Sequence, residues 1–167
     1  MSLYHEIQNY TPVNQQEEQD QKLFLKYMEN CSDYLDRENQ IAHFTASIWT
    51  INPERTKTLM VYHNIYDSWS WIGGHADGME DLRSVAMREL QEETGVRDAA
   101  LRRGLYVPSH LHLNVTYLAE AREQEALIVN ADENQAVKWW SFEDALRVPN
   151  EPWMITHVYK KLIEKCK

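Results

Sequence analysis

Apolar and polar positions change period several times along the chain. After an irregular opening over residues 1–12, residues 13–30 (VNQQEEQDQKLFLKYMEN) begin polar and then place Leu23, Phe24, Tyr27 and Met28 at helical spacing. Residues 41–51 (IAHFTASIWTI) are rich in aromatic and β-branched types, which favours a strand. NPERTK reads as a turn, TLMVYHN as a second strand, and WSWIGG as a short strand entering a glycine-rich loop. Helical spacing returns over residues 81–94, and Gly95 stands where a left-handed cap would end that helix. Residues 109–119 (SHLHLNVTYLA) alternate, with Leu111, Leu113, Val115 and Tyr117 on one face and His110, His112, Asn114 and Thr116 on the other. Short strands are expected over 126–129 and 136–140. A short helix is expected from SFEDAL with Ser141 as its N-cap, and an amphipathic helix over 152–165.

Strands mixed with helices, without regular βα alternation, predict an α/β fold with a mixed sheet between helical layers. The 167 residues suit one domain, read here as an extension over 1–40 carrying one helix and a main domain over 41–167. The extension's apolar stripe is expected to pack on the domain or on a second copy of the chain, which leaves a homodimer open. A net charge of −9 argues against a nucleic-acid polymer as partner, since that needs a basic surface. No apolar run approaches the roughly 20 residues of a membrane span, and no secretory leader is evident, so a cytoplasmic location is expected. Cys31 and Cys166 have no metal-ligand spacing and read as reduced thiols.

The helix over 81–94 carries the chemistry. At about 100° per residue, Leu82, Val85, Ala86, Glu89, Glu92 and Glu93 fall within roughly 60° of one line. An apolar stripe thus runs into three carboxylates, which repel one another and meet the unfavourable end of the helix dipole. Arg88 sits at the edge of this stripe and cannot neutralise all three. A divalent cation can, and hard oxygen ligands select magnesium, manganese or calcium.

The same residues fill a known pattern. Gly74, five residues, Glu80, seven residues, then Arg88-Glu89-Leu90-Gln91-Glu92-Glu93-Thr94-Gly95-Val96 resembles a complete Nudix box. The resemblance implies the α/β/α sandwich of the Nudix hydrolase family and hydrolysis of a diphosphate linkage with Mg2+ or Mn2+. It implies Glu92 and Glu93 as metal ligands, Glu89 as ligand or base, and the Gly74 carbonyl as a further ligand. Glu80 and Arg88 would hold loop and helix together. Family members often add an acid from outside the box, and Glu133 is the candidate here, with Asp132 second.

The implied partner is a small phosphorylated substrate. His75, His110 and His112 are the candidates to touch it, and Trp69 or Trp71 could stack on a planar group. Trp139 and Trp140 lie on opposite faces of one strand, so at most one can face the site. Two other readings belong to the same fold. An isopentenyl diphosphate isomerase would carry a cysteine before the Gly-His pair, where Gly73 stands. A non-catalytic ligand-sensing module commonly lacks box carboxylates, and here all are present.

Overall fold

The computed structural model describes residues 2–109 and 112–167. Two N-terminal helices, α1 (Leu3–Gln8) and α2 (Gln15–Asn30), precede strands β1 (His43–Ile51), β2 (Lys57–His63), β3 (Ser68–Ser70) and β4 (Ile72–His75). Helix α3 (Leu82–Thr94) follows, then β5 (Ala99–Ser109), β6 (His112–Ala121) and β7 (Asn134–Ser141). A 3-10 turn spans Asp144–Leu146, and Ser141 Oγ accepts from the Asp144 N–H at 3.1 Å. The chain closes with α4 (Pro152–Met154), a π-helical turn (Ile155–Tyr159) and α5 (Lys160–Cys166).

The strands form one mixed sheet in the order β3-β2-β1-β6-β5, with β4 on β1 and β7 on β2. Among the described residues only β1 and β6 run parallel, pairing from His43↔His112 to Ile51↔Glu120. The other edge of β1 is shared: β4 pairs with Thr45 to Ile48, and β2 meets Ile51.

Alternation along β1 divides the molecule. Phe44, Ala46 and Ile48 enter one core with Leu59, Val61, Leu82, Val85, Ala86, Leu90, Leu113, Val115 and Tyr117. Trp49 and Ile51 enter a second core with Met60, Val158, Tyr159, Leu162 and Ile163. Helix α3 therefore covers one face of the sheet and the C-terminal helical segment the other. The expected split of the tryptophan pair is present: Trp139 packs on the first core and Trp140 on the second.

Three expectations change. A short helix, α1, stands where an irregular lead-in was expected, because Leu3 and Ile7 are buried in the first core and Ser2 caps its first turn. Residues 126–129 are not a strand: the Ile128 N–H donates to the Thr94 carbonyl at 2.7 Å, so this segment caps α3 rather than joining the sheet. The strand expected over 109–119 is β6, and a further strand, β5, that was not expected precedes it from Ala99; His110 and Leu111 lie outside the described residues.

The N-terminal helices share the main core. Phe24 is fully buried against Phe44 at 5.3 Å between rings, and Tyr27 Oη donates to the Ala42 carbonyl at 2.7 Å. The apolar stripe of α2 is thus largely covered by its own chain, with Leu23 left exposed. Glu17 is completely buried, and its Oε1 meets Lys161 Nζ at 2.7 Å and Lys165 Nζ at 2.6 Å. Burial alone would raise its pKa, but the two lysines, the Val13 N–H and Tyr10 Oη together hold it at about 2.

Replacing Glu17 removes the carboxylate that both ammonium groups share and leaves Asp20 as an electrostatic partner of Lys161. Glu17→Gln should destabilise the fold by about 3 kcal/mol at neutral pH, read from urea midpoints. A carboxylate with a depressed folded pKa stabilises above its unfolded value and loses that contribution as pH falls toward 2. The difference between wild type and variant should therefore shrink from about pH 4.5 downward.

Candidate active site

Helix α3 is fixed at both ends. The Asp81 side chain accepts from the Ser84 N–H and hydroxyl at 3.3 and 2.7 Å. Gly95 adopts a left-handed φ of 79°, and its N–H donates to the Gln91 carbonyl at 2.9 Å. A Cβ there would lie 2.7 Å from Ile128 Cγ1, so both backbone and packing select glycine.

Held this way, α3 gives its three glutamates different surroundings. Glu93 is 3% exposed, and its two oxygens accept from the Gly73 N–H and from Asn134 Nδ2, each at 3.1 Å. Burial raises its pKa to about 8, with Glu89 and Glu133 adding repulsion, against the lowering effect of those two hydrogen bonds. Glu89 is half-buried and also raised by burial, opposed by Arg88, whose Nη2 donates to Glu89 Oε1 at 2.8 Å. Glu92 is exposed, with Arg88 Nε 3.8 Å from its Oε2.

Gly74 explains its own identity. A Cβ at this position would sit 2.5 Å from the Glu89 carboxylate, so the carboxylate lies directly against the β4 backbone. The loop after β4 is anchored by a bidentate pairing of Arg37 with Asp77, while Glu80 is exposed.

Gly74, Arg88, Glu89, Glu93 and Glu133 therefore converge, with Glu92 at the rim. Glu133 acts electrostatically on both Glu89 and Glu93, which places it beside the cluster. Four carboxyl groups stand together in a partly dehydrated site, with Arg88 beside Glu89 and Glu92 and Arg37 within electrostatic reach of Glu89, and burial raises the pKa of both Glu89 and Glu93. All donors are oxygens. That set fits a hard divalent cation better than a borderline one.

A cavity of about 340 Å³ opens on the opposite side of β4, with Gly73 and Gly74 in its wall. His75, His112 and Asn114 line one part, and Trp71, Met154 and Tyr159 another. The Thr45 and Ser47 hydroxyls both donate to Asn114 Oδ1 at 2.9 Å, and Asn114 Nδ2 donates to Thr116 Oγ1 at 3.0 Å. The polar face expected on β6 is thus a fixed, buried lattice behind the cavity. Burial drives the His112 pKa down to about 4, helped by His75 and His43, and lowers His75 as well. Trp69 instead packs edge-on against Trp140. Neither cysteine lines the cavity.

Two residues escape sequence reasoning. Asn134 has no signal beyond following Glu133. His43 does: His43, Thr45 and Ser47 alternate with Phe44, Ala46 and Ile48, which marks a polar face on an otherwise buried strand.

An α/β sandwich with a carboxylate-bearing helix beside a glycine-rich strand defines a class, and the comparisons agree. A family model described as the NUDIX domain matches residues 42–165, and the chain belongs to that family. It is 32% identical over 111 residues to a Streptomyces rubellomurinus CMP-5'-(N-acetyl-N-hydroxy-3-aminopropyl)phosphonate hydrolase, covering 60% of this chain and 52% of that protein. It is 32% identical over 92 residues to an Escherichia coli CTP pyrophosphohydrolase, covering 50% of this chain and 63% of that one. The chain thus matches less than two thirds of the length of either relative. Among solved structures, a NUDIX-family hydrolase from Clostridium perfringens superposes with a TM-score of 0.60 at 19% identity, over 77% of this chain and 99% of that one. No helix among the described residues is long and apolar enough to cross a membrane.

The Glu93 carboxyl should titrate near pH 8 in metal-free protein, read by carbon NMR of labelled glutamate. A carboxyl whose folded pKa lies above its unfolded value holds its proton longer in the folded state. Stability should then fall as pH rises from about 4.5 to 8, and Glu93→Gln should remove most of that slope.

Proposed function

We propose that this chain is a divalent-cation-dependent hydrolase that cleaves a phosphoanhydride bond in a small nucleoside diphosphate-type substrate. One observation carries the reading: buried Glu93 and half-buried Glu89 are crowded against the Gly73–Gly74 backbone, and Glu133 adds electrostatic repulsion to both. The family supports it, as do relatives whose names describe a CMP-phosphonate hydrolase and a CTP pyrophosphohydrolase.

In this reading the Gly74 carbonyl, Glu89, Glu92, Glu93 and Glu133 hold Mg2+ or Mn2+. The bound cation supplies charge neutralisation at the phosphoryl oxygens and a water of lowered pKa. Asn134 and the Gly73 N–H fix the Glu93 carboxylate. Arg88 holds Glu89 against Gly74, and Glu89 takes a proton from the attacking water. Water oxygen bonds to phosphorus, the bridging P–O bond breaks, and the departing phosphorylated fragment carries away the electron pair. His75 and His112 face the phosphates from the cavity wall, with Trp71 and Tyr159 toward the less polar part.

The test is turnover in oxygen-18 water with Mg2+ or Mn2+ and a panel of nucleoside diphosphate-linked compounds, the products read by mass spectrometry. One labelled phosphate per cleavage is expected, with loss of activity on chelation. Glu89→Gln should lower kcat by about 10²- to 10⁴-fold, and Glu93→Gln should also weaken metal affinity. Products that retain the diphosphate would instead indicate isomerase chemistry. Tight binding of a nucleotide with no product would indicate a sensing module.

A further inference from the structure

Three adjacent strands each place one histidine on the same face of the sheet. The parallel register of β1 and β6 sets His43 beside His112. The antiparallel register of β4 on β1 pairs His75 with Thr45, two residues along from His43. The rings form a nearly equilateral triangle, with centroids 5.2, 4.9 and 5.2 Å apart. Each offers a nitrogen within 4.8 Å of the other two. The ring planes are inclined to one another by 41°, 54° and 87°, so parallel stacking does not hold the group together.

His43 gives the triangle its direction. Its Nδ1 lies 2.9 Å from the Asn39 carbonyl oxygen, which can only accept. Nδ1 is therefore the donor, and in the neutral ring Nε2 is the nitrogen with the lone pair. That Nε2 is buried and has no hydrogen-bond partner among the described residues, in a residue only 7% exposed. An orphaned buried acceptor of this kind is unfavourable and calls for a partner. A histidine that donates one ring N–H to a backbone carbonyl and presents the other nitrogen has the arrangement of a metal ligand with its outer contact in place.

We propose that His43, His75 and His112 form a second cation site, separate from the carboxylates of α3, for a borderline transition metal such as Zn2+. Imidazole nitrogens suit zinc, cobalt and nickel over magnesium, whereas the α3 cluster is all oxygen. A tetrahedral centre with nitrogens at about 2.0 Å holds ligand pairs about 3.3 Å apart. The rings close by side-chain rotation of His75 and His112, which are part-exposed and line the cavity, toward the fixed His43. Three protein ligands leave one position, and the two cavity-lining members turn it toward the cavity. The cation would thus stand where a phosphoryl oxygen or water can complete its shell.

Co2+ is the direct probe, because a four-coordinate nitrogen site gives visible absorption bands. The 167-residue chain saturated with Mg2+, without substrate, is titrated with Co2+ and then with competing Zn2+. One Co2+ per chain is expected, with four-coordinate bands displaced by Zn2+, and the signal should persist in Glu93→Gln. His75→Gln and His112→Gln should each weaken Co2+ affinity by about 100-fold or more, beyond the cost of losing an outer hydrogen bond. Circular dichroism confirms that each variant is folded. X-ray absorption should count three imidazole nitrogens near about 2.0 Å. No Co2+ retained against Mg2+, or a signal that follows Glu93 rather than the histidines, overturns the proposal. Hydrolysis is read separately with Mg2+ alone, so either reading can fail without the other.

Discussion

The buried carboxylate of Glu93 is the constraint around which the site is arranged. Its two hydrogen bonds reach β4 through the Gly73 N–H and β7 through Asn134, so one side chain ties α3 to two strands. Both donors are neutral. They orient the carboxylate without supplying a charge, and burial accordingly drives its pKa to about 8. A fold spends stability on such a group only where something else compensates it. In the proposed hydrolase, a cation shared with Glu89 and Glu133 would provide that compensation, and the same cation would offset the charge of a diphosphate beside carboxylates.

The other two glutamates are graded around this point. Glu89 is pressed on the backbone of Gly74 and steadied by Arg88, while Glu92 stands in solvent at the rim. One helical stripe therefore runs from core to water across a single turn. The depth of each carboxylate follows from its angle on α3 and from where β4 crosses it. The caps at Asp81 and Gly95 matter for the same reason: they set the rotation of the helix, and a small rotation would exchange these environments.

Local chemistry made much of this legible in the sequence. The period of α3, its glycine cap, the alternation of β6 and the opposite placement of Trp139 and Trp140 all follow from rules acting within one element. What sequence did not reveal depends on pairing between distant segments. Asn134 reaches Glu93 only because β7 joins β2 while β4 joins β1, and neither pairing leaves a mark in the residues themselves. Residues 126–129 looked like a strand because Leu127, Ile128 and Val129 are apolar. Their actual task is to meet the end of α3 and cover Gly95. The first helix was missed because it is short, and its burial of Leu3 and Ile7 comes from the tertiary core rather than from its own propensity.

Strand β4 separates two kinds of donor. On one side lie carboxylates, suited to a hard cation. On the other, His43, His75 and His112 offer nitrogens backed by the Thr45, Ser47 and Asn114 lattice. Gly73 is central to both. Its N–H holds Glu93, and a Cβ there would lie 2.5 Å from Ser47 Oγ, so any side chain would push into the histidine-side lattice. The absence of a side chain at Gly73 and Gly74 lets the backbone thin to a partition between the two donor sets. The two cations proposed above would then lie on opposite sides of β4, one held by oxygen and the other by nitrogen. Selection between them would need no difference in charge, only the difference in donor chemistry that the two faces of one strand already provide.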